Sequence, residues 1–356
     1  MENIKNEEVS EKRFLTLNEM LVKYETAPKT NFLWSGIKEK SFGLVFGPSK
    51  SGKTIFCENL AMSIAMGKDE FFEYPLDGIP KKVLFVGLEE FWLSRIERNR
   101  MQFEVLNEEE QLLIGENYRF QPIDFSKRIV RESDYDNLIN TIMDSEAEVV
   151  FIDSITRMNL GQLENSADSE KLMQKLREVC YDLKITLICI HHTTKMFDCP
   201  ITMDKIKGSA VFAQESDFAI GVSRTSKNHR YVKNVFFRYA PDDSDIVKEF
   251  EIDNSCWLNH LNDVDEDELL ARTDKRRATE KPEIISSYLD NNSTCTYTKK
   301  ELYNILSNDL GIKERQYGSY LQNLEKERKI FSPSLGNYAS VNYKYIKNEG
   351  DDERRV

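Results

Sequence analysis

The sequence has 356 residues, of which 40% are hydrophobic and 31% are charged, with 49 lysines and arginines against 61 aspartates and glutamates. This length predicts about two domains, and this composition excludes a fully disordered or collagen-like chain. The net charge of −12 repels phosphate over the molecule as a whole, so any binding to nucleic acid requires local basic patches.

The sequence contains no apolar run that approaches the roughly 20 residues of a transmembrane helix, and its acidic, polar start is unlike a signal peptide. We therefore expect a cytoplasmic protein with no membrane partner. The six cysteines are scattered, with no C-x-x-C pair and no histidine at zinc spacing. This pattern favours reduced thiols over disulfides or a structural metal site.

Short apolar segments alternate with helical patterns from residue 42 to residue 252. The predicted strands are Phe42–Phe46, Val83–Val86, Val149–Ile152, Thr186–Ile190, Phe218–Val222, Val232–Phe237 and Ile246–Ile252. Strands that alternate with amphipathic helices indicate parallel βαβ units, in which helices cover both faces of the sheet. The predicted fold class is therefore α/β with a mostly parallel sheet.

An acidic run from Asp263 to Glu268, followed by the basic segment Lys275–Arg277, predicts a linker between two folded parts. The boundaries that follow are an N-terminal polar segment (1–29), an α/β core (30–258), a charged linker (259–280), a small C-terminal domain (281–346) and a polar tail (347–356).

The strongest chemical motif is a complete G-x-x-x-x-G-K-[ST] phosphate loop, which follows one predicted strand and opens a predicted helix. Backbone N–H groups of such a loop surround phosphates where the helix dipole also favours negative charge. The predicted nucleotide-binding residues are Gly47, Pro48, Ser49, Lys50, Ser51, Gly52, Lys53 and Thr54. In this motif Lys53 neutralises the β and γ phosphates, and Thr54 is a ligand of Mg²⁺.

Two further predicted strands end in carboxylates. Asp153 ends the strand VVFID, where we expect it to hold the Mg²⁺ shell, although an aspartate that caps a turn is the alternative. Glu89 and Glu90 follow the strand VLFVG, where they could also complement the next helix N-terminus. A hydrolase needs a carboxylate that orients or deprotonates the attacking water, and we assign this role to Glu89, with Glu90 as second choice.

The segments GPSKSGKT, VLFVGLEE, VVFIDS, LICIHHTTK and KGSAVFAQESDFAI occur in this order within residues 43–220. Together with the lead-in NFLWSGIKEKSFGLVFG, they resemble the RecA-type ATPases, and most of all the RepA branch of hexameric plasmid helicases. The resemblance covers about residues 30–252. It implies a RecA-like P-loop core, ATP with Mg²⁺, a homo-oligomer that is a hexamer in this family, and Glu89 as the catalytic glutamate.

His191 and His192 follow the predicted strand Thr186–Ile190, and neighbouring strand residues point to opposite faces, so only one of them can face a nucleotide. The resemblance favours His192 as the γ-phosphate sensor. A histidine that is merely hydrogen-bonded at a sheet edge is the alternative. Phe197 stands where a guanine-specific T-K-x-D motif requires aspartate, which favours adenine.

Three lysines, Lys195, Lys205 and Lys207, lie in a polar loop after this strand. Similar helicases and recombinases use loops at this point to contact single-stranded DNA in a central channel. The resemblance therefore implies that these lysines contact DNA, and an ordinary solvated loop is the alternative.

Arg238, in the segment FFRYAP, stands where the family has a basic finger that reaches the nucleotide of the neighbouring subunit. Arginine suits this role because its fixed charge and planar donors match phosphate oxygens. Many relatives carry a lysine two residues earlier, where this sequence has Phe236. A surface-strand arginine is the alternative, and Lys233 is the next candidate for the finger.

Residues 281–346 predict three helices and a hairpin, and they resemble a winged helix. The third helix, predicted at Glu314–Arg328, has an apolar face and an exposed polar face. The residues that we assign to DNA contact on this face are Arg315, Gln316, Ser319, Asn323 and Lys326. The segment has 9 basic and 7 acidic residues, a weak balance for a DNA-binding face, so protein docking is the alternative to duplex binding.

The motifs predict an ATP hydrolase, and the resemblance implies one that acts on DNA as a ring. The first class is a motor, a RepA-like helicase in the replication of a plasmid, phage or other mobile element. The second class is a non-unwinding assembly factor, loader or regulatory ATPase in recombination, transposition or defence. Both classes use the same ATP site, so the motifs do not separate them. A small-molecule kinase is disfavoured, because Glu89 and the extended C-terminal half of the core fit a hydrolase better.

Overall fold

The computed structural model describes residues 14–158, 166–193, 198–206, 211–241, 245–271, 284–310, 314–334 and 336–343. Within these ranges no helix is both long and apolar enough to cross a membrane. All six cysteines are described and none is in a disulfide.

Helices and strands are numbered separately in chain order. The helices are α1 (Leu17–Thr26), α2 (Lys53–Met66), α3 (Trp92–Glu104), α4 (Glu108–Asn117), α5 (Glu132–Ser145), α6 (Ser166–Leu183), α7 (Val211–Glu215), α8 (Glu266–Ala271), α9 (described at 284–291), α10 (Lys299–Leu310) and α11 (Glu314–Lys326). The strands are β1 (Phe32–Trp34), β2 (Ile37–Lys38), β3 (Phe42–Gly47), β4 (Glu70–Phe71), β5 (Tyr74–Pro75), β6 (Val83–Gly87), β7 (Tyr118–Phe120), β8 (Val149–Asp153), β9 (Thr186–His192), β10 (Phe218–Arg224), β11 (Arg230–Phe237), β12 (Ile246–Ile252), β13 (Leu258–Asp265), β14 (Tyr297–Thr298), β15 (Ile330–Ser334) and β16 (Asn337–Ser340).

A nine-stranded sheet in the order β13-β12-β11-β10-β3-β9-β8-β6-β7 forms the centre of the structure. The strands from β10 to β7 are parallel to their neighbours, whereas β11, β12 and β13 extend the sheet antiparallel. The predicted α/β class with a mostly parallel sheet is confirmed, and all seven predicted strands are present. The carboxyl ends of β3, β6, β8 and β9 meet at one edge, which is where sheets of this kind bind ligands.

Helices cover both faces of this sheet, because consecutive strand residues alternate between two apolar clusters. Leu84 and Val86 of β6 belong to one cluster, together with side chains of α5 and α6. Val83 and Phe85 belong to the other cluster, together with side chains of α2 and α4. Burial on both faces explains why the strands of the sequence read as continuous apolar runs.

The prediction of a linker at 259–280 is wrong for residues 259–271. Leu258–Asp265 is β13, which pairs with β12 along its length, and α8 follows it directly. The charges of the acidic run indicated a linker, but most side chains of β13 are exposed on an edge strand, where charge prevents pairing with other chains. Leu269 and Leu270 of α8 are buried, so the core extends at least to Leu270. The remainder of the predicted linker, 272–280, lies outside the described residues.

Glu266 fixes α8 to the sheet. Its carboxylate is buried and accepts hydrogen bonds from the Tyr231 hydroxyl at 3.0 Å and the Ile201 backbone N–H at 2.8 Å. It also forms an ion pair with Lys233, which is equally buried. The acidic run therefore includes a residue that holds the core together.

The C-terminal part consists of α9, β14, α10, α11, β15 and β16, in that order along the chain. The three strands form an antiparallel sheet in the order β14-β16-β15. Its own apolar cluster includes Leu289, Leu302, Tyr317 and Leu321.

Helix α1 begins with a capping box, in which the Thr16 hydroxyl accepts from the Glu19 backbone N–H at 3.3 Å and Glu19 accepts from the Thr16 N–H at 2.8 Å. No residue of α1 is buried. Leu17, Met20 and Leu21 are all at least half exposed and lie on one stripe of the helix. The chain therefore presents an apolar helical face that the described part of its own core does not cover.

Candidate nucleotide site

The phosphate loop lies between the carboxyl end of β3 and the start of α2. Gly52 has a φ of 106°, a backbone conformation that favours glycine over every other residue. A Cβ at Gly47 would lie 1.9 Å from the Val222 carbonyl oxygen, so this position also requires glycine. The Nζ of Lys53 donates to the carbonyl oxygens of Gly47 at 3.0 Å and Pro48 at 2.8 Å. Local steric constraints therefore explain why the motif has glycine at both positions.

Thr54 and Asp153 meet at the start of α2. The Thr54 hydroxyl donates to the Asp153 carboxylate at 2.6 Å. Burial raises the pKa of Asp153 to about 6, an effect that the Thr54 hydrogen bond opposes. Burial also lowers the pKa of Lys53 to about 8, although the nearby charge of Asp153 raises it. A hydroxyl and a carboxylate at this separation are the ligand pair that a P-loop protein uses for the Mg²⁺ of a bound nucleotide.

Glu89 lies across the cavity from the phosphate loop and accepts hydrogen bonds from three side chains. The donors are the Thr156 hydroxyl at 3.0 Å, the His192 Nε2 at 3.3 Å and the Ser154 hydroxyl. These interactions lower the pKa of Glu89 to about 2, and the hydrogen bond from His192 is the largest cause. Glu89 is therefore ionised at neutral pH, and its negative charge is stabilised by its neighbours.

Glu90 also lines the nucleotide cavity, but its carboxylate is committed to a charged network. Both its carboxylate oxygens accept from Arg98, at 2.9 Å and 2.7 Å. Arg98 also donates to Glu58 of α2 at 2.7 Å and 2.8 Å, and Arg95 donates to the same carboxylate at 3.1 Å. Glu58 is completely buried, so these ion pairs fix α3 to α2. Of the two glutamates, Glu89 is the one that faces His192 and Thr156.

The two histidines lie on opposite faces of β9. His191 is fully buried and stacks on Phe212, with ring centroids 4.6 Å apart. His192 instead lines the cavity beside Glu89. The geometry thus brings together Lys53, Thr54 and Asp153 with Glu89 and His192, as the sequence predicts.

The cavity has a volume of about 540 Å³ and extends from Glu89 past the phosphate loop to Arg230 and Ile252. Sequence reasoning missed these last two residues, because they lie on the antiparallel strands β11 and β12 and belong to no motif. The Arg230 Nε is buried and has no hydrogen-bond partner in the described part of the chain. Arg230 also lies 3.6 Å from the position of a Cβ at Gly52.

Arg238 is distant from this cavity. It forms an ion pair with Asp217 at 3.2 Å and has weak hydrogen bonds to the backbone oxygens of Gln214 and Ser216, both at 3.4 Å. Phe218, next to Asp217, pairs with Gly43 at the beginning of β3, whereas the phosphate loop follows the end of β3. Arg238 therefore lies at the opposite edge of the sheet from the phosphate loop of its own chain.

The prediction of Lys233 as the next candidate for the basic finger is wrong. Its side chain is buried and committed to the ion pair with Glu266 inside the core. A group that reaches a neighbouring subunit has to be exposed, so of the two residues only Arg238, whose side chain is 40% exposed, meets this condition.

Few of the predicted DNA contacts have a described side chain. Lys205 is half-buried and pairs with Asp204 at 3.1 Å, and Lys326 is exposed in the last turn of α11. Lys195 and Lys207 lie outside the described residues. Arg315, Gln316, Ser319 and Asn323 belong to α11, of which only the backbone is described at these four positions.

A nucleotide with Mg²⁺ fits this donor set. The Thr54 and Asp153 oxygens could hold the ion, and the Ser51 hydroxyl, which is buried in the loop, has no hydrogen-bond partner among the described residues. A Cβ at Gly52 would lie 3.6 Å from Arg230 and Ile252, which line the cavity, so glycine keeps this side of the loop open to phosphate oxygens.

A parallel sheet with a phosphate loop at its carboxyl edge defines a P-loop nucleotide-binding protein. The family model described as AAA domain matches residues 10–197, just over half of the chain. The chain belongs to this family and is a P-loop ATPase. No curated protein matches it. The KaiC-like protein PH0186 from the hyperthermophilic archaeon Pyrococcus horikoshii is a similar solved structure, with 16% identity over 65% of this chain and 94% of that chain and a TM-score of 0.46.

Proposed function

We propose that the chain hydrolyses ATP as a DNA-associated homo-oligomeric ring, and that it is a RepA-like helicase in the replication of a plasmid, phage or other mobile element. The observation that carries the hydrolytic part is the position of Glu89, an ionised carboxylate across one cavity from the phosphate loop. A carboxylate in this position can orient the attacking water and accept its proton, which a phosphate loop alone does not do.

Five side chains of this cavity have specific roles in the proposed reaction. Lys53 and the loop N–H groups bind the β and γ phosphates, and Thr54 with Asp153 holds the Mg²⁺. When bound, Mg²⁺ neutralises the phosphate charge that opposes attack. Glu89 orients the attacking water and accepts its proton, and His192 contacts both Glu89 and the γ-phosphate side of the cavity.

The position of Arg238 supports a site that two subunits share. Four residue steps of β3, about 13 Å, separate the level of Gly43 from Gly47, so Arg238 does not reach the nucleotide of its own chain. In a head-to-tail ring, the edge of one subunit that carries this arginine could face the cavity of the next. This arrangement would supply the positive charge that stabilises the transition state.

Helix α1 supports assembly independently of Arg238. Its apolar stripe, which includes Leu17 and Leu21, has no cover in the described part of its own chain, and apolar stripes of this kind are normally buried. We assign this stripe to contact with a second copy of the chain. Replacing Leu17 and Leu21 by glutamate should shift the oligomer to smaller species in sedimentation velocity, whereas changing Lys23 and Glu25 to alanine should not.

The C-terminal part supports DNA contact through its order of elements. A helix, a strand, two helices and a hairpin follow each other from α9 to β16, which is the order of a winged helix. In such a module the helix before the hairpin, here α11, is the one that enters the major groove. Docking to another protein is the alternative for this surface.

The experiment that tests the proposal compares ATP hydrolysis with strand separation. Phosphate release is measured with and without single-stranded DNA, and displacement is measured on a forked duplex with Lys53→Ala as the inactive control. The helicase proposal predicts stimulation together with displacement. Stimulation without displacement would instead favour the non-unwinding loader or regulatory ATPase, and an ATPase that no DNA stimulates would contradict both.

A further inference from the structure

A second cavity adjoins the nucleotide site on the far side of Glu89. Its volume is about 380 Å³, and it is lined by Glu89, Arg128, Thr156, Arg157 and His192. Glu89 and His192 also line the nucleotide cavity, so the two cavities share this pair of side chains. The second cavity contains none of the phosphate-loop residues, and the proposed hydrolysis does not use its two arginines.

The two arginines come from different segments that a backbone hydrogen bond holds together. Arg128 precedes α5, and Arg157 ends the 3-10 turn Ile155–Arg157 that follows β8. The Ile129 backbone N–H donates to the Arg157 carbonyl oxygen at 3.0 Å, which fixes the spacing of the two segments. Both side chains are exposed, and neither guanidinium has an ion pair or hydrogen bond to any residue that the structure describes.

Two unpaired guanidinium groups that line one open cavity fit a ligand with a phosphate group. Arginine forms planar, bidentate hydrogen bonds to phosphate oxygens, and two arginines together match one phosphodiester or two successive ones. An extended single strand offers such phosphates at regular spacing, and a positively charged groove is the usual site for its backbone.

We propose that Arg128 and Arg157 bind the backbone phosphate of single-stranded nucleic acid, and that Thr156 transmits this binding to Glu89. The proposal rests on the proposed function, because it identifies where the nucleic acid controls hydrolysis. Thr156 and Arg157 are neighbours in the same 3-10 turn, so a phosphate that shifts Arg157 on binding also moves the hydroxyl from which Glu89 accepts a hydrogen bond.

The hydrogen bonds to Glu89 explain why such a movement would matter. A carboxylate whose negative charge is stabilised by His192, Ser154 and Thr156 is a weak proton acceptor, as its pKa of about 2 indicates. Withdrawal of the Thr156 hydroxyl removes one of these donors and makes Glu89 more basic. Nucleic acid would in this way accelerate hydrolysis without any contact with ATP.

The test uses the full-length double variant Arg128→Ala with Arg157→Ala. Its control is Arg100→Ala with Lys82→Ala, which removes the same charge from two side chains outside this cavity. Binding of a fluorescent single-stranded DNA is measured at several salt concentrations in the presence of a non-hydrolysable ATP analogue. Loss of two phosphate contacts should reduce the slope of log K against log salt by about 1.4, and the control should keep the wild-type slope.

A second measurement follows hydrolysis, and it separates this proposal from a structural effect. The factor by which DNA increases the hydrolysis rate should be at least tenfold smaller in the double variant than in the wild type. Thr156→Val should hydrolyse ATP faster than wild type in the absence of DNA, and DNA should stimulate it less. A merely structural role of Thr156 predicts the reverse, a slower rate both with and without DNA, and that result would overturn the coupling.

The outcomes distinguish this proposal from the function on which it rests. A wild-type chain that binds no single-stranded DNA contradicts the proposed function itself. A double variant with the wild-type salt slope and wild-type stimulation overturns the arginine site alone. Inorganic phosphate and single-stranded RNA are tested in parallel. If phosphate alone at millimolar concentration reproduces the full stimulation, the site binds free phosphate and the assignment to a nucleic-acid backbone is wrong.

Discussion

Replacement of Arg238 by alanine is the sharpest test of a site shared between subunits. The structural cost should be modest, because the Arg238 side chain is 40% exposed and the buried Asp217 keeps other partners. Asp217 would retain the hydrogen bond from the Phe42 backbone N–H at 3.1 Å and the nearby Arg177 at 3.8 Å. We therefore expect a melting temperature within about 4 °C of wild type.

The cost to turnover should be much larger. An arginine that stabilises the transition state from a neighbouring subunit is worth about 10³ to 10⁵ in rate, which corresponds to roughly 4 to 7 kcal/mol. Nucleotide binding, measured by calorimetry, should change little. Arg177→Ala is the matched control, because it removes another cation near Asp217 and should keep most of the turnover.

Mixing the variant with Lys53→Ala distinguishes a shared site from a general defect. In an equimolar mixture about one interface in four combines an intact phosphate loop with an intact Arg238, so activity should recover to about a quarter of wild type. Co-purification of differently tagged chains must first establish that the subunits exchange. Mixed rings that stay inactive at every ratio, or an Arg238→Ala protein that is fully active alone, would refute the reasoning.

Four further predictions concern the catalytic acid, the metal ligand Asp153, the domain boundary and the C-terminal part. Glu89→Gln should bind ATP but lose at least about 10² in turnover, and Glu90→Gln should lose less; wild-type turnover in Glu89→Gln would refute the assignment. Because the pKa of Asp153 is raised to about 6, its ionised fraction falls from about nine-tenths at pH 7 to one-tenth at pH 5. The apparent Mg²⁺ affinity in hydrolysis should fall about tenfold over this range, and an unchanged affinity would contradict the metal role of Asp153. In thermal or urea unfolding, the fragment 1–271 should remain folded. The fragment 1–258 lacks β13 and α8, and the loss of Glu266 alone leaves Lys233 buried without its partner at a cost of about 3 to 5 kcal/mol, so this fragment should be less stable by at least that amount. Equal stability of the two fragments would contradict this boundary. The fragment 1–271 should also bind duplex DNA less tightly but keep stimulation by single-stranded DNA, and unchanged duplex affinity would favour protein docking.

The local parts of the site could be predicted from the sequence. The phosphate loop is a pattern of eight consecutive residues, and Asp153 and Glu89 each follow a strand whose apolar run is visible without a structure. Parallel strands that are buried on both faces give continuous apolar runs, so the seven main strands and the sheet type were predictable as well.

The remaining parts depend on contacts between distant segments. The composition of β13 predicts a linker because edge strands carry charge, and composition does not distinguish an exposed edge from a solvated linker. Arg230 reaches the phosphate loop from a strand about 180 residues further along the chain, and no motif marks it. Glu58 lies in the middle of an apolar helix, and only the position of Arg95 and Arg98 explains a buried carboxylate there. Periodicity and motifs carry no information about such pairings.

The most direct test of the central claim is the rate of phosphate release from ATP by the purified wild-type chain, with and without a single-stranded DNA oligonucleotide. Lys53→Ala, which removes the charge that faces the β and γ phosphates, provides the background rate. We predict a rate that is well above this background and that rises on addition of DNA. A rate equal to that of Lys53→Ala would contradict the assignment as an ATP hydrolase, and a rate unchanged by DNA would contradict its role as a DNA-associated ring ATPase.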